Sequence, residues 1–296
     1  MKKTWTSNLE AIKVGLYEKA LPKNLSWEER LNLTRKTGFD FLEISIDDTD
    51  ERLARLLWTP AEISAIKDLV EKTGLKIQSL SLSAHRRFPL GSKSTETRNR
   101  SLDIFKRSID LAVELNARTI LLGGAEDYYE DVDQSTKDRF LENLGKGFEW
   151  ASSAGVMLAL ENWDIQINTL PRVMEYVEYF DSPWFQTYTD LGNLIYAGVD
   201  VVSQLEYVKG HIAALHVKDT LPGQLRYVSP GEGAVPFVDA FEKLAGIGFQ
   251  APVVLELWTE DFPDAVEIVE GAGKFIRAKM AQGWKNYQDK HTNKGE

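Results

Sequence analysis

The sequence predicts an α/β protein folded as a closed parallel (β/α)8 TIM barrel. Two observations carry this. Eight short apolar runs alternate with helical stretches, and the glycine fingerprint of an open doubly wound sheet is missing after the first run. The runs cover residues 13–17, 39–46, 76–82, 118–122, 156–161, 185–190, 213–217 and 252–257. After the first, the chain reads Gly15-Leu16-Tyr17-Glu18-Lys19, where a dinucleotide-binding turn would need further glycines. No low-complexity linker or break in composition interrupts the alternation, so residues 1–296 are read as a single barrel domain with a short polar tail from about 284.

The segments between the runs carry helix signals. Ser26-Trp27-Glu28-Glu29 and Thr59-Pro60-Ala61-Glu62 read as capping boxes: the hydroxyl accepts from a free first-turn N–H and the glutamate reaches back. Pro60 sits where its missing donor costs nothing. Ile63, Ile66, Leu69 and Val70 then recur at helical spacing, and Gly74 stands where a left-handed residue ends the helix, as Gly38 does one unit earlier. Leu102, Phe105, Ile109, Ala112 and Val113 form another stripe. Residues 236–244 followed by Gly246 repeat the pattern, and a last helix spans about 264–282.

Composition narrows the function. The 296 residues carry 35 Lys and Arg against 45 Asp and Glu, a net charge of −10, which disfavours nucleic acid and anionic membranes as partners. With no cysteine, disulfides, thiolate metal sites and thiol nucleophiles are excluded, leaving oxygen and imidazole chemistry. The N-terminus meets Glu10 before any apolar stretch of signal-peptide length, and no run approaches the roughly 20 apolar residues of a spanning helix. A cytoplasmic protein is expected, with a homodimer as one allowed assembly.

Four consecutive late strands each end in a metal-competent residue: Glu161, Asp190, His216 and Glu256. In a parallel barrel the C-terminal strand ends gather at one rim, so these residues become neighbours across a narrow mouth. Taken singly, an acid at a strand end is usually a solvated loop residue or a helix cap. Three carboxylates and an imidazole together need a counter-charge, and one divalent cation supplies it. The oxygen-rich set suits Mn²⁺, Mg²⁺, Zn²⁺ or Co²⁺.

Trp163 and Trp258 each follow a rim glutamate by two positions, on the same face, where an indole can wall the pocket or simply pack. His85-Arg86-Arg87 is a cationic spot in an acidic chain and a candidate anion holder, with Lys218 and Arg226 competing for that role. Asn162 borders the first rim glutamate and joins the substrate-binding candidates. Gly231-Glu232-Gly233 can form a tight loop near a ligand, a weak signal alone.

At these residues the chain resembles the xylose isomerase-like barrels, a superfamily that includes ketose 3-epimerases, inosose dehydratase and endonuclease IV. Gly38-Phe39-Asp40-Phe41-Leu42-Glu43, the stretch from Leu82-Ser83-Ala84-His85-Arg86-Arg87 through Phe88-Pro89-Leu90-Gly91-Ser92, His216-Val217-Lys218-Asp219 and Leu255-Glu256 most resemble the L-ribulose-5-phosphate 3-epimerase group of L-ascorbate and L-xylulose catabolism. The resemblance implies that Glu161, Asp190, His216 and Glu256 bind one divalent metal ion. It also implies that Glu161 and Glu256 are catalytic as acid and base, and that the substrate is a small sugar phosphate inverted at C3.

One departure bears on the substrate. Ketohexose epimerases often carry histidine three positions after the aspartate ligand; here Asn193 stands there, which favours a phosphopentulose. The endonuclease relatives hold three zinc ions through several histidines, too many for this chain. A metal-dependent lyase of the inosose dehydratase type and a non-catalytic sugar-phosphate binding protein are the rival readings.

Overall fold

The structure is a computed structural model describing residues 8–163 and 166–292. Eight parallel strands form a barrel: β1 (Val14–Tyr17), β2 (Phe41–Ile46), β3 (Lys76–Leu82), β4 (Thr119–Gly123), β5 (Met157–Glu161), β6 (Phe185–Asp190), β7 (Ile212–Val217) and β8 (Val253–Leu255). Each pairs with its sequence neighbours, and β8 closes on β1 through Gly15 opposite Val254. The helices are α1 (Trp27–Lys36), α2 (Asp50–Leu53), α3 (Pro60–Thr73), α4 (Thr95–Glu114), α5 (Gln134–Ser153), α6 (Leu170–Phe180), α7 (Leu191–Tyr196), α8 (Val201–Gln204), α9 (Phe237–Gly246) and α10 (Ala265–Thr292). All eight expected strands are present, and both expected capping boxes form, at Ser26 with Glu29 and at Thr59 with Glu62. Among the described residues no helix is long and apolar enough to cross a membrane.

Two cores follow from the alternation of side chains along a strand. Residues such as Leu42, Ile44, Leu80, Leu160, Leu215 and Leu255 point outward and pack against the helices. The opposite parity fills the barrel with Tyr17, Phe41, Leu121, Ala159, Tyr188, Ala214 and Val254. Gly15 makes room for this filling, since a Cβ there would lie 2.2 Å from the Phe41 ring. Counting two residues onward from Ala159, Tyr188, Ala214 and Val254 gives Glu161, Asp190, His216 and Glu256. The packing that fills the barrel therefore turns all four inward at its C-terminal end.

The last helix is longer than expected. The stretch read as a polar tail from about 284 stays helical to Thr292, because Trp284 is buried against Phe241 and Tyr287 packs on the core. Residues 293–296 of that stretch lie outside the described residues. Gly246 is likewise not the left-handed stop of α9: it closes the helix, and Gly248 takes the positive φ of 80°. Trp284→Ala is expected to cost about 3–5 kcal/mol, as large aromatic deletions from a core do, read by urea denaturation. A loss under about 1 kcal/mol would show that the end of α10 is an appendage.

Candidate active site

Glu161, Asp190, His216 and Glu256 are buried, and each offers a ligand atom within 4.8 Å of the others. His216 Nδ1 is 3.0 Å from Glu161 Oε1, 3.5 Å from Glu256 Oε2 and 3.7 Å from Asp190 Oδ2. Lys218, two residues on from His216 and so also inward, donates from Nζ to Asp190 Oδ2 and Glu256 Oε2, both at 2.7 Å. Asp190 is fixed from its other side, where Oδ1 accepts from the Asn193 backbone N–H and caps α7.

The charge state shows an excess of acid. Burial pushes Glu161 up to about 7, with His216 opposing and Glu256 and Asp190 adding to the rise. Burial acts the same way on Glu256, but Lys218 and His216 outweigh it and hold that carboxyl at about 2. Asp190 is raised by burial against the pull of Lys218, and the carboxylates around His216 lift its imidazole well above the usual value despite burial. Among the described residues three carboxylates meet one ammonium and one imidazole, and the surplus negative charge appears as the upward shift of Glu161 and Asp190. A hard divalent cation fits this donor set, and these four residues are the ones that could hold it.

Above the cluster opens a cavity of about 200 Å³ bordered by Arg86, Trp163, Asn193, Lys218, Arg226 and Trp258 among others. Its β1 and β2 side is cationic but paired: Lys19 with Asp47, and Arg52 with Glu18, Asp47 and Glu260. Arg86 lies over the rings of Tyr128 and Trp163 at 4.6 and 4.8 Å, and Arg226 over Trp258 at 4.6 Å. Among the described residues neither guanidinium meets a carboxylate, and both Nε atoms are buried without a partner.

The other candidates fall elsewhere. Arg87 is exposed and turned outward, donating to Asp50 Oδ1 and the Asp48 carbonyl. His85 points behind the rim, 3.4 Å from the Ser101 carbonyl and edge-on to Phe105. These residues share a 3₁₀ turn, in which successive side chains diverge by about 120°. Asn162 has the outward parity and is fully buried, its side chain exchanging hydrogen bonds with the Asp190 backbone at 2.9 and 2.8 Å. It locks β5 to β6. The loop at Gly231 and Gly233 closes on Asp219, whose Oδ2 accepts both their N–H groups, so it is tied to the chain itself. Both tryptophans wall the cavity, and Gly123 leaves the space for Trp163, whose ring a Cβ would meet at 1.4 Å.

Sequence reasoning missed Glu43 and Asn193 as site residues. Glu43 is fully buried beneath the cluster, and its Oε1 is 2.7 Å from His216 Nε2. Asn193 donates from Nδ2 to the Asn162 carbonyl and borders the cavity with an Oδ1 that has no protein partner among the described residues. The two-residue step from inward Phe41 is the signal that could have found Glu43.

Residues 31–279 match the family described as xylose isomerase-like TIM barrel. The chain is 42% identical over 272 residues to L-ribulose-5-phosphate 3-epimerase UlaE of Escherichia coli O1:K1 and of O157:H7, covering 92% of this chain and 96% of those proteins. Among solved structures, an L-ribulose 3-epimerase superposes with a TM-score of 0.76 at 19% identity, covering 96% of this chain and 98% of that one. A D-allulose 3-epimerase from Methylomonas sp. does so at 0.75 and 14%, covering 90% and 98%.

The half-buried position of His85 behind the rim has a measurable consequence. Burial lowers its imidazole to about 4 from the usual 6.5, against a smaller opposing effect of the Ser101 carbonyl. The unfolded chain then takes a proton that the folded one resists, so this contribution to stability is complete above about pH 6.5 and drains away as pH falls towards 4. His85→Gln is expected to flatten the stability profile across that window, read by denaturant unfolding at several pH values. A profile as steep as that of the parent protein would contradict the neutral state of this imidazole.

Proposed function

Because the chain belongs to the L-ribulose-5-phosphate 3-epimerase group of the xylose isomerase-like TIM-barrel family, we propose that it interconverts L-xylulose 5-phosphate and L-ribulose 5-phosphate. It is an isomerase-class enzyme, a sugar epimerase. The observation that carries the reading is the pair of inward glutamates at the end of β5 and just after β8, flanking Asp190 and His216 at the barrel mouth.

The C3 proton of a 2-ketose is weakly acidic because the adjacent carbonyl accepts the electron pair it leaves behind. Glu161, Asp190, His216 and Glu256 would hold one divalent cation, Mn²⁺, Zn²⁺, Mg²⁺ or Co²⁺. When bound, it supplies Lewis acidity to the ketose oxygens, worth several kcal/mol in such reactions. Glu256, kept ionised by Lys218, takes the C3 proton from one face, and the electron pair of the broken C–H bond becomes the C2–C3 double bond of an enediolate. Glu161, on the other side of the cluster, returns a proton to the opposite face as that pair re-forms a C–H bond. The reverse reaction exchanges the roles, and each group contributes roughly 10²- to 10⁴-fold.

Arg86 is the favoured phosphate holder, since it borders the cavity, is kept flat by two aromatic rings and has no carboxylate of its own among the described residues. Arg226 is its counterpart across the mouth. The free Asn193 Oδ1 suits a sugar hydroxyl donor.

Glu161→Gln and Glu256→Gln are each expected to abolish exchange of the C3 hydrogen in deuterated water, followed by NMR with either pentulose phosphate. Exchange persisting in both variants would exclude the two-base scheme. Arg86→Ala is expected to raise KM for the phosphorylated sugar by roughly 10- to 100-fold, the scale of a charged hydrogen bond, and Arg87→Ala by less than about 3-fold. Equal effects of the two substitutions would place the phosphate elsewhere.

A further inference from the structure

We infer that Glu43 is the positioning residue that selects which nitrogen of His216 faces the metal. The inference rests on the metal reading above and adds a residue to it. Glu43 lies at the centre of β2, two positions after the inward Phe41, and is fully buried on the barrel axis. A carboxylate in such a place is costly unless its lone pairs are filled. They are filled by three donors from three other strands. Oε2 accepts from Ser79 Oγ at 2.6 Å and from the Tyr188 hydroxyl, and Oε1 stands 2.7 Å from His216 Nε2.

This arrangement fixes the imidazole. The Tyr188 ring meets it edge-on with centroids 4.7 Å apart, so the plane is held by packing and the rotation by Glu43. With Nε2–H committed to Glu43, Nδ1 is the nitrogen that turns to Glu161, Asp190 and Glu256. A carboxylate behind a ligating histidine fixes its tautomer and strengthens its lone pair, and losing such a partner typically costs 10- to 100-fold in metal affinity. Glutamine at position 43 keeps the shape of the side chain but brings an amide that can equally donate or accept, so the tautomer is no longer dictated.

The test measures Zn²⁺ and Mn²⁺ binding to the full-length protein by competition with a chelating dye, without substrate. The parent protein is expected to bind one equivalent and Glu43→Gln to bind it about 10- to 100-fold more weakly. Ser79→Ala, which removes one donor from Oε2 and leaves the Oε1 link intact, is expected to stay within about 3-fold. If the parent binds tightly and Glu43→Gln binds as well, or Ser79→Ala loses as much, the positioning role is overturned while the metal reading stands. If the parent binds no metal, the metal reading itself fails. Independently of any variant, ¹⁵N NMR of the histidine-labelled, Zn²⁺-loaded parent is expected to show His216 protonated at Nε2; protonation at Nδ1 overturns the inference.

Discussion

Charge balance inside a closed barrel is the constraint on which the rest of this structure depends. Three carboxyl groups converge at the mouth, a fourth lies beneath them, and among the described residues one ammonium and one imidazole meet them. Water cannot screen groups this deeply buried, so each carboxylate needs either a fixed partner or a proton. Lys218 serves two of them, which leaves Glu256 ionised while Glu161 is pushed up to about 7. The same imbalance suits the centre to a divalent cation.

Strand parity turns that electrostatic problem into a located site. The small inward side chains Ala159 and Ala214 leave room on the axis for the large Tyr188 and Phe41, and the next inward residue on each late strand reaches the rim, where Glu161 and Glu256 border the cavity while Asp190 and His216 stay buried behind it. Parity also separates neighbours in sequence. Glu161 faces the centre while Asn162 turns away to join β5 to β6, and Lys218 faces in while Asp219 ties down the following loop. The aromatic walls continue the inward series at Trp163 and Trp258, each carrying an arginine on its face.

The strands were legible in sequence because each buries its outward face under a helix and reads as a short apolar run bounded by caps and glycines. The rim residues were legible because polar side chains ending such runs stand out. Glu43 was not, since it sits in the middle of its strand, where a single acid among Phe41, Leu42 and Ile44 gives no sign of the three donors that other strands bring to it. The His85-Arg86-Arg87 turn was misread as one cationic patch because the divergence of its side chains is a property of the 3₁₀ turn and not of composition. The far end of α10 looked polar because a single buried face, marked by Trp284 and Tyr287, was outweighed by its charged neighbours.

On the proposed reading, one cation sits among Glu161, Asp190, His216 and Glu256. Anomalous diffraction at the manganese edge from crystals grown with Mn²⁺ tests it most directly. One strong peak is expected, enclosed by those four side chains, with Nδ1 of His216 turned towards it. A peak elsewhere on the molecule, with none at the barrel mouth, would contradict it.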